Sequence, residues 1–175
     1  MEPYRYTPLS PPRNIRLLDL FPGEPGSPLK CKLLEVSLSD CQYEAISYCW
    51  GDPTFVLHVE CDDRLIPVTK SCAEVLDRFR PKRKHRILWI DAICIDQSSD
   101  SEIEQQIPLM GDLYRQAART LIWLGPGTRV TDVICKRMRS IGRINSKGNY
   151  PYDDIPFFKR LRIKFHKQRL LREKG

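Results

Sequence analysis

The chain lacks any long apolar run. Hydrophobic residues make up 41% of its 175 positions, yet no stretch of them approaches the roughly 20 residues that span a bilayer. The opening stretch, MEPYRYTPLSPPRN, has no apolar core of the kind that directs secretion, so the protein is expected inside the cell, in the cytoplasm. Seven cysteines stand at 31, 41, 49, 61, 72, 94 and 135; the count is odd and no CxxC pair occurs. In an intracellular chain this speaks against a disulfide framework and against a zinc site. The histidines, His58, His85 and His166, show no ligand spacing, so no metal is expected. No glycine-rich GxGxxG loop is present, which removes the dinucleotide fingerprint that rests on one.

The composition is that of a soluble globular domain large enough for its own core. The formal charge of +7 invites a nucleic-acid reading, but much of the excess lies in two runs, 78–86 (RFRPKRKHR) and 159–174. Such runs are more often solvated faces than binding sites, and nucleic acid is not expected as a partner.

Residues 1–14 are rich in proline and predict an irregular arm. Strands are expected over 15–20, 29–37 and 43–50, and a hairpin over 55–61 and 65–68 around Asp62-Asp63-Arg64. Thr69 or Ser71 is placed to cap a helix over 72–80, which Pro81 ends. The run 88–97, LWIDAICIDQ, is apolar enough for a buried central strand, taken as 87–95, with Asp91 and Asp96 set into it. A helix over 101–119 follows, with Pro108 inside it, and then a buried strand over 121–124. Beyond lie an expected helix over 131–144, a loop over 145–156 and a basic amphipathic helix over 157–171. In that last helix Phe158, Leu161 and Phe165 keep helical spacing between basic residues, a pattern equally suited to nucleic acid, a membrane surface, a partner helix or plain solvent.

Helices alternating with apolar strands predict an α/β domain with a mostly parallel central sheet flanked by helices, carrying an antiparallel addition from 15–68. Sites in such sheets lie at the carboxyl ends of strands, here Gly51-Asp52, Asp91–Gln97 and Gly125.

Three blocks stand in order: YEAISYCWGD at 43–52, LWIDAICIDQ at 88–97, and Glu102-x-x-x-Gln106-Ile107 leading through Met110-Gly111-x-Leu113-Tyr114-x-x-Ala117 to WLG at 123–125. Together they resemble the HET (heterokaryon incompatibility) domain of filamentous fungi, over about residues 15–127. The family pattern reads IDAICINQ, and this chain has Asp96 where Asn is usual. After Gly127 the similarity fades. Residues 128–175 then read as a basic helical extension, of a short or a truncated member.

The resemblance implies a domain whose activation triggers cell death when incompatible strains fuse. The family is also considered a distant relative of TIR domains, which have a flavodoxin-like core and some of which cleave NAD with a glutamate. That implies NAD as a substrate, with no cofactor required. On that reading Glu102 is the catalytic candidate, Asp91 and Asp96 flank the same mouth, and Trp50, Gly51, Asp52 and Gln97 are candidates for holding the nucleotide, since a carboxylate can stabilise an oxocarbenium-like ribose. Against it stands a scaffold reading, in which Ser98 or Ser99 with Glu102 is a helix cap and Asp91 accepts backbone N–H groups. The domain then signals by self-association or by binding a regulatory protein.

Overall fold

A computed structural model of the protein describes residues 1–10, 12–126 and 133. The chain divides into two units, Met1–Gly127 and Thr128–Gly175, and every described strand belongs to the first. The expected helices at 131–144 and 157–171, the loop between them and the basic run 159–174 lie outside the described residues, Val133 excepted.

Seven strands form one sheet: β1 Asn14–Leu20, β2 Lys30–Ser37, β3 Glu44–Tyr48, β4 Phe55–Cys61, β5 Arg64–Thr69, β6 Arg86–Trp89 and β7 Arg119–Trp123. Their spatial order is β5-β4-β2-β1-β6-β3-β7. The helices are α1 Lys70–Phe79, α2 Asp91–Cys94, α3 Asp100–Gln106 and α4 Met110–Gln116.

The α/β class holds, but the sheet is mixed rather than mostly parallel. β3 runs parallel to both β6 and β7, and β2 to β4; β1 is antiparallel to β2 and to β6, and β4 to β5. The antiparallel ladders carry more of the paired residues, β1/β2 alone running from Asn14↔Ser37 to Leu20↔Cys31. The reason is connection length. The loop of nine residues after Leu20 returns the chain antiparallel, whereas parallel strands of one sheet need a crossover such as the helices between β6 and β7, which carry the chain past β3. The β1–β2 hairpin is thus no addition at the margin. β1 is the middle strand, and its Ile15, Leu17, Leu18 and Leu20 are all buried, so it is covered on both faces.

Local chemistry places the breaks. The β4–β5 turn puts Asp62 and Asp63 in the left-handed region, at φ 49° and 58°, as a two-residue hairpin with primed-turn geometry requires. The Thr69 side chain accepts from Cys72 N at 3.2 Å and starts α1. Pro108 lacks an N–H, and the single helix expected over 101–119 is divided by a 3-10 turn at Ile107–Leu109 into α3 and α4.

The central strand is also shorter than expected. β6 ends at Trp89, and 91–94 form a helical turn closed by Cys94 N donating to Ile90 O at 2.8 Å. Ile90, Ile93, Cys94 and Ile95 are nevertheless buried. Their apolarity reflects burial of the turn, which a short apolar run does not distinguish from a strand.

The arm, irregular as expected, is not loose. Tyr4 N donates to Leu65 O and Leu65 N to Glu2 O, both at 2.9 Å, so the arm bridges the outer edge of β5. The Tyr6 hydroxyl donates to Ile93 O at 2.9 Å. No helix among the described residues is long and apolar enough to cross a membrane.

Where β3, β6 and β7 meet, Glu44 accepts from both Arg86 and Arg119. The hydrogen bond from Arg86 holds the Glu44 carboxyl below its ordinary 4.5, against the opposing effect of burial and with help from Arg119. Because the folded value is lowered, this stabilisation is present above the ordinary carboxyl range and is lost as pH falls through the folded value. Glu44→Gln should therefore lose stability at neutral pH and little in acid. Denaturant melts stepped down in pH check this; a gap between variant and wild type that stays constant with acidification would rule it out.

Candidate functional site

The chain turns at the end of β6, and that turn brings most of the candidate residues together in two adjoining clusters. The first is built on Asp91, at the start of α2 and 7% exposed. Its Oδ2 accepts from Trp50 Nε1 at 2.9 Å, and its Oδ1 from Ala92 N at 2.8 Å. Gln97 Nε2 donates back to the Asp91 carbonyl at 2.9 Å and to Ile95 O at 3.2 Å, bracing the loop that follows α2. Trp50 follows β3 and Asp91 follows β6, so the indole and carboxylate meet at the carboxyl ends of two parallel strands.

Two tyrosines lie near this carboxylate. Burial, with Asp91 adding to it, pushes the Tyr48 and Tyr114 hydroxyls well above their ordinary range, so both stay neutral. Tyr114 donates to Ile46 O at 3.1 Å and sets its ring edge-on to Trp89. The Tyr48 hydroxyl is buried without a conventional hydrogen-bond partner and lies against the Cys72 thiol.

The second cluster is built on Glu102, in the first turn of α3 and 7% exposed. Arg16, from the middle strand, meets it with both guanidinium ends: Nη1 donates to Oε1, and Nη2 to Oε2 at 2.9 Å. Oε1 also accepts from Asp96 N at 2.7 Å. Arg16 is itself buried, and its remaining donors reach Cys94 O at 3.3 Å and Thr7 O at 2.5 Å, while Tyr6 lies 4.9 Å from its guanidinium. Burial alone would lower the Arg16 pKa; the hydrogen bonds to Glu102 more than offset it, and the guanidinium ends above its ordinary value. The arm, β1, α2, the 95–98 loop and α3 thus converge on one ion pair.

The helix-cap pattern is present with a change of partner. Ser99 Oγ accepts from Glu102 N at 3.2 Å, as the spacing predicts. The Glu102 carboxylate does not return to the Ser99 backbone; it reaches Asp96 N and Arg16 instead. The Asp96 carboxylate turns away to Ser98, accepting from its N at 2.9 Å and its hydroxyl at 2.6 Å.

Two further candidates belong to the exposed loop after β3. Gly51 has φ +68°, and a Cβ there would stand 2.7 Å from Ser71 Oγ, so this turn needs glycine. Asp52 accepts from Thr54 N at 2.9 Å and Thr54 Oγ1 at 2.6 Å, and the hydroxyl bond holds its carboxyl below the ordinary range. These contacts close a local turn and do not join Asp52 to Asp91.

Arg16, Thr7 and Tyr6 were not among the sequence candidates. A signal for Arg16 existed: a lone cation in the apolar strand NIRLLDL must find a carboxylate if the strand is central. Nothing local marked Thr7 or Tyr6. Among the described residues no group of three or more His, Cys, Asp or Glu side chains could hold a metal ion.

Removing one partner of a buried pair leaves an uncompensated charge, at a cost of about 3–5 kcal/mol. Arg16→Met should therefore destabilise the fold by about that much, and Arg16→Met with Glu102→Met by clearly less. Denaturant unfolding of the single and double variants checks this. A double variant no more stable than Arg16→Met would show that the pair itself is not what holds the turn.

Comparison with known proteins agrees with the sequence blocks and the turn they build. A family model described as heterokaryon incompatibility protein (HET) matches residues 43–168. Heterokaryon incompatibility protein 6, OR allele, of Neurospora crassa is 31% identical over 148 residues, covering 76% of this chain and 22% of that relative. The chain thus spans about a fifth of the relative's length. No solved structure matches. With three blocks in order, a family model over most of the chain and Asp91, Asp96 and Glu102 gathered at one turn, the chain belongs to the heterokaryon incompatibility (HET) family.

Proposed function

We propose that this chain acts in heterokaryon incompatibility as a cytoplasmic signalling module of the cell-death response, and that it works by association with a second copy or a regulator rather than by chemistry at Glu102. The observation that carries the second part is the lock on Glu102. A carboxylate that stabilises a ribosyl cation must face its substrate. This one faces Arg16 and a backbone N–H. The incompatibility role rests on the family and on the Neurospora relative's name. Among the described residues Cys31, Cys41, Cys61, Cys72 and Cys94 are free thiols, in keeping with a reducing compartment.

The sheet edge at β7 supports association. Its sequence from Thr120 to Leu124 is uncharged, Ile122 is 64% exposed and Leu124 78% exposed, and no other described strand pairs its outer side. An edge of this kind is a ready template for another strand. Antiparallel pairing with a second copy about Ile122 would oppose no like charges.

TIR-like NAD cleavage is kept as a second reading on one observation: the Asp91 carboxylate and the Trp50 indole meet at the strand ends, where a nucleotide would sit. The two readings separate in one set of assays. Light scattering of the full chain should show concentration-dependent self-association, and Ile122→Lys should abolish it with the fold intact. A strict monomer at high concentration would refute self-association. On the associative reading, NAD incubated with the associated protein should persist. NAD loss that Asp91→Asn or Glu102→Gln abolishes would instead establish an enzyme.

A further inference from the structure

β4 and β2 are joined by a narrow seam. Only Lys30↔Glu60 and Cys31↔Cys61 are register partners there. The backbone adds Glu60 N to Leu29 O at 2.9 Å, and Lys30 Nζ meets Glu60 Oε1 at 2.8 Å. The strand pairing that ties the β4–β5 hairpin to β2 runs through these few residues. The two cysteines lie directly opposite one another, 2% and 0% exposed. Both are free thiols. Cys61 Sγ also stands 3.9 Å from Asp62 Oδ2.

We propose that Cys31 and Cys61 form a reversible disulfide under peroxide, a covalent clamp across the narrowest seam of the sheet. Neighbouring strands lie about 4.8 Å apart, and a disulfide accepts Cα separations of about 4.4–6.8 Å, so the backbone is already within range. Opposed strand positions must draw their Cβ atoms slightly closer to bridge, and strained bridges belong to the labile, regulatory class rather than the structural one. This suits an oxidant-formed bond that a reducing cytoplasm later removes.

The chemistry closes within the pair. The facing Cys31 thiol holds the Cys61 thiol below its ordinary range, which favours Cys61 as the attacking side. Its thiolate attacks one peroxide oxygen, the O–O bond breaks, and the departing hydroxide takes a proton and leaves as water. The resulting sulfenic sulfur is attacked by Cys31; the S–S bond forms, the S–O bond breaks, and the oxygen leaves as a second water with the Cys31 proton. Two thiols have given up two electrons, and one peroxide has become two waters.

The N-terminal arm is seated on the same hairpin. The Glu2 and Tyr4 backbones are tied to Leu65, whose strand partner is Glu60, the neighbour of Cys61. Both thiols are buried in the folded chain, so on this proposal the reaction waits on a local opening, and release of the arm from the hairpin is the opening tested below.

The test treats the full chain with hydrogen peroxide under native conditions, alkylates the remaining thiols and maps the unreduced digest by mass spectrometry. A Cys31–Cys61 bridged peptide is expected, with the loss of two hydrogens, reversed by dithiothreitol. Bridging should raise Tm by several degrees, and Tyr4→Ala should speed it several-fold. Cys61→Ser should prevent the bridge and leave Cys31 alkylated. The proposal is overturned if both cysteines emerge alkylated while exposed Cys49 is oxidised, or if Cys61 is joined to another cysteine. Because the wild-type map decides the question by itself, a variant that fails to fold does not obscure the result.

Discussion

The ion pair between Arg16 and Glu102 is the contact on which the turn after the central strands depends. A guanidinium in the middle strand of a sheet is costly unless it is paired and its remaining donors are filled. Here both carboxylate oxygens meet it, and its other bonds go to the carbonyls of Cys94 and Thr7. Each of these partners comes from a different element. The pair therefore specifies where the arm, α2 and α3 sit relative to β1, more than it adds bulk stability.

That constraint shapes what the candidate site can do. Glu102 occupies the place in the third block that an acid at a helix start would use for chemistry, yet its oxygens are engaged by the scaffold. Asp91, earlier in the chain, is held differently, by an indole N–H and its own neighbour's amide. The acids of neighbouring blocks thus serve two clusters. Asp96, where the family usually has Asn, spends its carboxylate on Ser98 and contributes to the Glu102 cluster only through its backbone N–H. An Asn side-chain oxygen could accept the same two bonds from Ser98, which explains how either residue fits this loop.

Much of the fold was legible in the sequence because local chemistry settled it. The strands at β1, β2, β4 and β5 carried their alternation or apolar density, Asp62-Asp63 announced a hairpin, and Thr69 or Ser71 announced a cap, of which the fold uses Thr69. Misreadings arose where local signal is degenerate. LWIDAICIDQ is apolar over most of its length because that length is buried, and periodicity over so short a run cannot separate four strand residues from a helical turn. Pro108 was visible inside the expected helix, but whether it kinks or divides a helix depends on packing around it. Of the candidate site, the block acids and Trp50 were legible as residue types, while Arg16, Tyr6 and Thr7 became partners only by long-range contact.

The sequence by itself determined the family, the α/β class and the identity of the acids gathered near the central strands, since block order, residue type and cap spacing are written locally. Only the tertiary structure decided that the N-terminal hairpin lies mid-sheet, that β6 stops at Trp89, and that Glu102 is bound to Arg16. The physical reason is distance along the chain. Arg16 and Glu102 are 86 positions apart, and no local rule states which cation a buried carboxylate will meet. That choice is made when the sheet assembles, because the buried charges of one strand and one helix must then neutralise each other.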